Sequence, residues 1–279
     1  MRLANLDGRA TILTADGGVD VAEASGGRLG PTLSSVYAAW PEFLGMAPTL
    51  SASPATPVDE SRLGAPSPEP RQVFGIGLNY RSHAAESGAT VPDIPATFTK
   101  FPACITGPYA DVELPSGSVD WEVELVVVMG RRADRVAAAD AWAHVAGLTI
   151  GQDLSERHVQ FAAGAQFSLG KSYRGFAPMG PWLVTPDELD DPDDLPLGCR
   201  IGDETMQDSR TGDLVFGVGA LIEELSAVVP LLPGDVIFTG TPDGVGFTRT
   251  PPRFLAPGDV LESWIEGIGT MRQRMVAPG

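Results

Sequence analysis

The stretch Asp120-Trp121-Glu122-Val123-Glu124-Leu125-Val126-Val127-Val128 sets two glutamates two residues apart in a run of high β-propensity. Side chains alternate faces along a strand, so Glu122 and Glu124 share one face with Asp120 in line, while Trp121, Val123 and Leu125 take the other. Beyond Leu125 the run is continuously apolar, the pattern of a strand buried on both sides. Two glutamates entering such a strand repel each other and need water, basic partners or a divalent cation. Oxygen ligands of this kind suit magnesium or manganese, with calcium as a substitute. An acidic edge facing solvent shows the same pattern. Asp153 closes the strand-like segment 147–152, a place for a site residue on an apolar scaffold or for the N-cap of the turn that follows.

His83 and Glu86 follow a short apolar strand. In a helix from Tyr80 onward they are three apart and share a face. A carboxylate beside an imidazole fixes its tautomer and raises its basicity, as a water-activating base requires; on a surface helix the same pair is simply solvated. Lys171 lies among Gly170, Phe176, Pro178 and Pro181, as an electrophilic stabiliser of an oxyanion or as an exposed charge. The segment Thr239-Gly240-Thr241-Pro242-Asp243-Gly244-Val245-Gly246 follows an apolar strand, and its N–H groups and hydroxyls suit a carboxylate or an oxyanion. Its glycine spacing matches neither a phosphate P-loop nor a dinucleotide fingerprint. As a plain turn it would need no ligand.

These residues must be placed by a strand-rich scaffold. The 279 residues include 33 glycines and 25 prolines, close to twice the usual share, which favours short strands and turns over a helical bundle. Strands are predicted at 10–14, 19–22, 73–77 and 236–238, and helices at 33–44, 80–87, 137–145 and 218–228. Six prolines between residues 47 and 70 suit an extended connector and place a boundary there, giving units 1–69 and 70–279. Two Pro-Gly-Asp turns, at 233–235 and 257–259, each precede a strand. The net charge of −17 argues against nucleic acid and anionic membrane surfaces as partners. Two cysteines make no disulfide framework, and no apolar run suits a signal peptide or a membrane span, so a cytoplasmic location is expected. Only Lys100 and Lys171 are lysines among the 19 basic residues.

Five motifs in one order, GLNYRSHAAE, DWEVELVVVMG, GQDLSERHVQ, GKSYRGFAPMGPWLV and TGTPDGVG, followed by IEGIGT, resemble the fumarylacetoacetate hydrolase family over residues 70–276. The likeness is greatest to its acylpyruvate and fumarylpyruvate hydrolase branch, with relatives that are 2-hydroxyhepta-2,4-diene-1,7-dioate isomerases. The resemblance implies a mixed α/β, β-rich fold: a β-roll catalytic domain with a small N-terminal domain, forming a homodimer. It implies magnesium or manganese on Glu122, Glu124 and Asp153, with His83 and Glu86 activating water. Lys171 and Gln160 would bind the oxyanion, and Thr241, Gly240, Arg157 and Tyr80 would contact a small anionic keto-acid substrate. Gln152, Arg174 and Asp243 stand where many members have Asn, Asp and Ala. The expected reaction is hydrolytic C–C cleavage of a 1,3-diketo acid. The same residues would also serve an isomerase, tautomerase, hydratase or decarboxylase, and a chain that had lost catalysis would be a small-molecule binder.

Overall fold

The computed structural model describes residues 1–115 and 117–279. Its main sheet is built from β1 (Arg2–Leu6), β2 (Arg9–Thr14), β3 (Gly17–Asp20), β4 (Val73–Gly77) and β5 (Ala96–Thr99) together with four later strands. A second sheet begins with β6 (Asp111–Glu113). The later main-sheet strands are β7 (Val123–Met129), β8 (Val145–Gln152), β9 (Ala177–Val184) and β12 (Val236–Phe238). The second sheet is completed by β10 (Pro196–Ile201), β11 (Glu204–Arg210), β13 (Val260–Ile265) and β14 (Gly269–Val276). Strand order is β3-β2-β1-β9-β8-β7-β12-β4-β5 in the main sheet and β11-β10-β13-β14-β6 in the second. Two short pairings extend the main sheet: Leu63–Gly64 against β1, and Ile105–Thr106 alongside β9. This is the expected mixed α/β, sheet-rich class.

The centre is the antiparallel pair β7 and β8, every residue of which is buried. Their register runs from Val123 opposite Gln152 to Val128 opposite Gly147. Gly151 permits a close approach, since a Cβ there would lie 2.4 Å from Val126 Cγ2 and 2.6 Å from Phe238 Cε1. Because the pairing stops at Val123 and Gln152, Glu122 and Asp153 emerge side by side, and the Asp153 N–H donates to the Glu122 carbonyl at 2.9 Å. The strand expected over 120–128 is therefore broken at Trp121 and Glu122. Val119–Asp120 pairs instead with Ser155–Glu156, which takes Asp120 out of line with the two glutamates.

Four helices follow the sequence pattern closely or in part. Val218–Val228 forms as expected; Arg81–Glu86 (α3) is a shorter form of the 80–87 helix; 138–144 is 3-10 rather than α. The single helix expected at 33–44 is two, α1 (Leu33–Ala38) and α2 (Trp40–Leu50), divided at Ala39. Thr32 and Ser35 form a capping box on α1, holding two otherwise unpaired N–H groups. The proline-rich stretch is not a free extended connector. Pro48 lies in the last turn of α2, where its missing N–H removes a single helical bond. Tyr37 then donates to the Pro66 carbonyl at 2.7 Å, and Ser67 to the Gly234 carbonyl at 2.6 Å. Through β1 and β9 the proposed units 1–69 and 70–279 share one sheet.

Trp40 clamps the N-terminal helices to the central strands. It contacts the rings of Tyr37 and Phe43 at 5.7 and 5.1 Å, and a Cβ at Gly130, just past β7, would meet its Nε1 at 2.6 Å. Trp40→Ala should cost about 3–5 kcal/mol of unfolding free energy in urea denaturation, the range for a buried aromatic truncated to alanine.

Candidate active site and metal centre

Glu122, Glu124 and Asp153 each offer an oxygen within 4.8 Å of the others, all three buried. Their backbone frame is tied to the second sheet. Gln152 Oε1 accepts from the Glu122 N–H at 2.8 Å while its Nε2 donates to Ser263 Oγ at 2.9 Å. Gln207 Oε1 accepts from the Val123 N–H at 2.9 Å, and its Nε2 donates to Thr241 Oγ1 at 2.8 Å. Gln152 is thus long enough to bridge β13 to the residue before β7.

Three cations face the carboxylates. Lys171 Nζ donates to Glu122 Oε2 at 2.7 Å, Asp153 Oδ2 at 2.6 Å and Ser155 Oγ at 2.9 Å, which engages all its N–H groups. Arg157, on the helix α4 (Arg157–Ala162), donates from Nε to Asp120 Oδ2 at 2.9 Å, and its NH1 lies 2.6 Å from Glu122 Oε1. Its NH2, 2.7 Å from Asp120 Oδ2, is not aligned for a hydrogen bond and keeps donor capacity. Lys100, fully buried, donates to Asp153 Oδ1 at 2.5 Å, to the Phe176 carbonyl at 3.1 Å and to the Lys171 carbonyl. In the sequence Lys100 stands in no motif and is marked only by the scarcity of lysine.

Burial works against ionising Glu122, but Lys171 and Arg157 outweigh it and hold the carboxyl down at about 2. Burial would also neutralise Lys171, yet Asp153 and Glu122 keep it an ammonium. Among the described residues no basic group forms an ion pair with Glu124, and Lys171 favours its charged form only from further away. Burial, Asp153 and Glu122 push its carboxyl well above the usual range, and its Oε2 accepts from the Gly240 N–H at 2.8 Å. A cluster of buried oxygen donors with one carboxylate lacking a counter-charge fits a hard divalent cation. Asp120 is satisfied without one, by Arg157 and by the N–H groups of Gly246 and Phe247 at 2.7 and 3.0 Å.

His83 Nδ1 lies 3.3 Å from Glu86 Oε2, and Glu86 Oε1 accepts from the Gly244 N–H at 3.0 Å, tying α3 to the 239–246 loop. Burial raises the Glu86 carboxyl, but the bonds from His83 and Gly244 bring it below its ordinary value. His83, Glu122, Arg157, Gln160, Lys171 and Thr241 line one cavity of about 320 Å³. Gln160 Oε1 accepts from Arg157 NH1 at 2.9 Å, which leaves its Nε2 as a donor.

Of the other expected residues, Thr241 lines this cavity and Tyr80 and Gly240 do not. Tyr80 is fully buried with its hydroxyl unpartnered, and burial with Glu124 pushes the phenol up. Gly240 donates inward to Glu124, and the Thr241 hydroxyl donates to the Val123 carbonyl at 2.9 Å. Much of the loop's hydrogen bonding therefore braces β7. Arg174 and Asp243 are exposed and do not line the cavity.

The fold is that of one family. The fumarylacetoacetate (FAA) hydrolase C-terminal family model matches residues 72–276, and the chain belongs to this family of enzymes. Bos taurus mitochondrial oxaloacetate tautomerase FAHD2A is 45% identical over 226 residues, 80% of this chain and 72% of that protein. An HpcE-like protein of Mycobacterium smegmatis is 55% identical, with a TM-score of 0.95 over 100% of both chains. Maleylpyruvate hydrolase of Sphingobium sp. SYK-6, crystallised with manganese(II) and pyruvate, is 28% identical with a TM-score of 0.82 over 100% of both chains. Among the described residues of the present chain, no helix is long and apolar enough to cross a membrane.

Lys100→Ala would leave Asp153 short of a buried counter-charge. We expect it to destabilise the metal-free protein by about 3–5 kcal/mol, read from chemical denaturation with chelator present.

Proposed function

We propose that this chain is a divalent-metal-dependent enzyme that carries a 2-oxo acid through its enol form, with proton transfer at His83. The observation that carries this reading is one cavity shared by His83 and Glu122, the cavity-facing member of the acidic triad. Glu122, Glu124 and Asp153 would hold magnesium or manganese, which when bound supplies Lewis acidity to the oxygens of a 2-oxo acid. Glu86 holds His83 through Nδ1 and leaves Nε2 to take a proton from carbon and return it to oxygen, or the reverse. Gln160 Nε2 and the spare donor of Arg157 are placed to bind substrate oxygen. Keto–enol tautomerisation needs no more than this, and the 45% identical tautomerase supports it.

Hydrolytic C–C cleavage of a 1,3-diketo acid is a second reading, favoured by the His83–Glu86 pair at 3.3 Å. Water activated at Nε2 would attack the distal carbonyl, and cleavage would release a carboxylic acid and the pyruvate enolate. Two free, buried cysteines suit the proposed cytoplasmic location; a homodimer is proposed from the family likeness.

His83→Ala should lower the rate of enol consumption by about 10²–10⁴-fold, the usual weight of a positioned acid–base group. Glu122→Gln should abolish magnesium and manganese binding in calorimetry with the circular dichroism unchanged. Product analysis separates the two readings: pyruvate release marks cleavage, and enol loss without pyruvate marks tautomerisation. Full turnover in His83→Ala would refute the assignment.

A further inference from the structure

Above the polar floor, four phenylalanines form a continuous belt. Phe98 meets Phe167 edge-on at 5.8 Å, Phe167 meets Phe161 at 6.0 Å and 84°, and Phe161 meets Phe247 at 6.0 Å. All four line the cavity. Phe161 is 48% exposed, so the folding core does not account for it.

The two ends of the belt cover the site's cations. Lys171 Nζ lies 5.2 Å from the Phe98 centroid, and Arg157 Cζ lies 4.4 Å from that of Phe247. Both charges are already matched by Glu122, Asp153 and Asp120. Apart from His83, which is bonded to Glu86, no other basic residue among those described lines the cavity. An anionic group beyond the 2-oxo acid head would lose its water against an aromatic wall and meet no unmatched cation among the described lining residues. An apolar group would instead gain contact on several sides. The cavity of about 320 Å³ exceeds what a three-carbon head fills.

We propose that the substrate carries an uncharged, apolar alkyl or aryl tail beyond its 2-oxo acid head, seated against the Phe98–Phe167–Phe161–Phe247 belt. This rests on the 2-oxo acid reading above and deepens it. It separates the chain from oxaloacetate, maleylpyruvate and 2-hydroxyhepta-2,4-diene-1,7-dioate, the compounds named for several relatives, which are all dicarboxylates.

The test compares 2,4-dioxooctanoate with 2,4-dioxooctanedioate, equal in length and differing only in the terminal methyl or carboxylate. Loss of the enol chromophore is followed with manganese, so tautomerisation and cleavage both register. The expected result is a kcat/KM at least tenfold higher for the methyl-ended acid. Phe161→Arg should reduce that preference at least tenfold, chiefly through KM, and Phe161→Leu should preserve it; circular dichroism checks that both fold. Equal or better use of the dicarboxylate by the parent protein overturns the tail assignment and leaves the 2-oxo acid reading standing. No consumption of either acid sinks that reading, and the tail assignment with it.

Discussion

Asp120, Glu122, Glu124 and Asp153 are removed from water in one place, with Lys100, Arg157 and Lys171 buried among them. Each ion taken out of water costs several kcal/mol unless its partners are held in good geometry, so the surrounding chain must deliver those partners accurately. Lys100 arrives from the residue after β5, Arg157 from the start of α4 and Lys171 from the turn before β9. Backbone N–H groups of Gly240, Gly246 and Phe247 supply what the side chains do not. Segments distant in the chain therefore converge on the open end of the β7–β8 pair, because that is where the uncompensated charge lies.

The second sheet gives this convergence its stiffness. Gln207 and Ser263 reach from it to the site strands, and Gln152 bridges back, so Glu122 enters the cavity from a backbone held on both sides. Such buried amide networks fix one arrangement because every alternative leaves donors or acceptors unpaired. The 239–246 loop has a related role. Read alone it suits a ligand, yet Gly240 and both threonine hydroxyls brace β7, and Gly244 positions Glu86 behind His83. The polar floor is thereby braced by hydrogen bonds, with the aromatic belt lining the same cavity.

Much of this is legible in the sequence. The E-x-E pattern ahead of an apolar run, Asp153 at a strand end and the i, i+3 spacing of His83 and Glu86 reflect local periodicity, which a sequence carries directly. The buried central strand and the Val218–Val228 helix followed from the same kind of pattern. Alternation through Trp121 sets Asp120 in line with the glutamates, but the strand breaks there and Val119–Asp120 pairs with Ser155–Glu156. Proline's missing N–H shows in the sequence of the proline-rich stretch, whereas the bonds of Tyr37 and Ser67 that strap it down are made with distant partners.

What the sequence determined by itself was the inventory: which strands are apolar, which carboxylates lie near their ends, and which family order the motifs keep. Only the tertiary structure decided how the charges pair. It placed Lys100 on Asp153, 53 positions away, and set Lys171 between Glu122 and Asp153. It also joined Phe98, Phe161, Phe167 and Phe247 into one wall. The reason is physical: periodicity and turn chemistry act over a few residues, whereas compensation of buried charge and assembly of an apolar wall act through space.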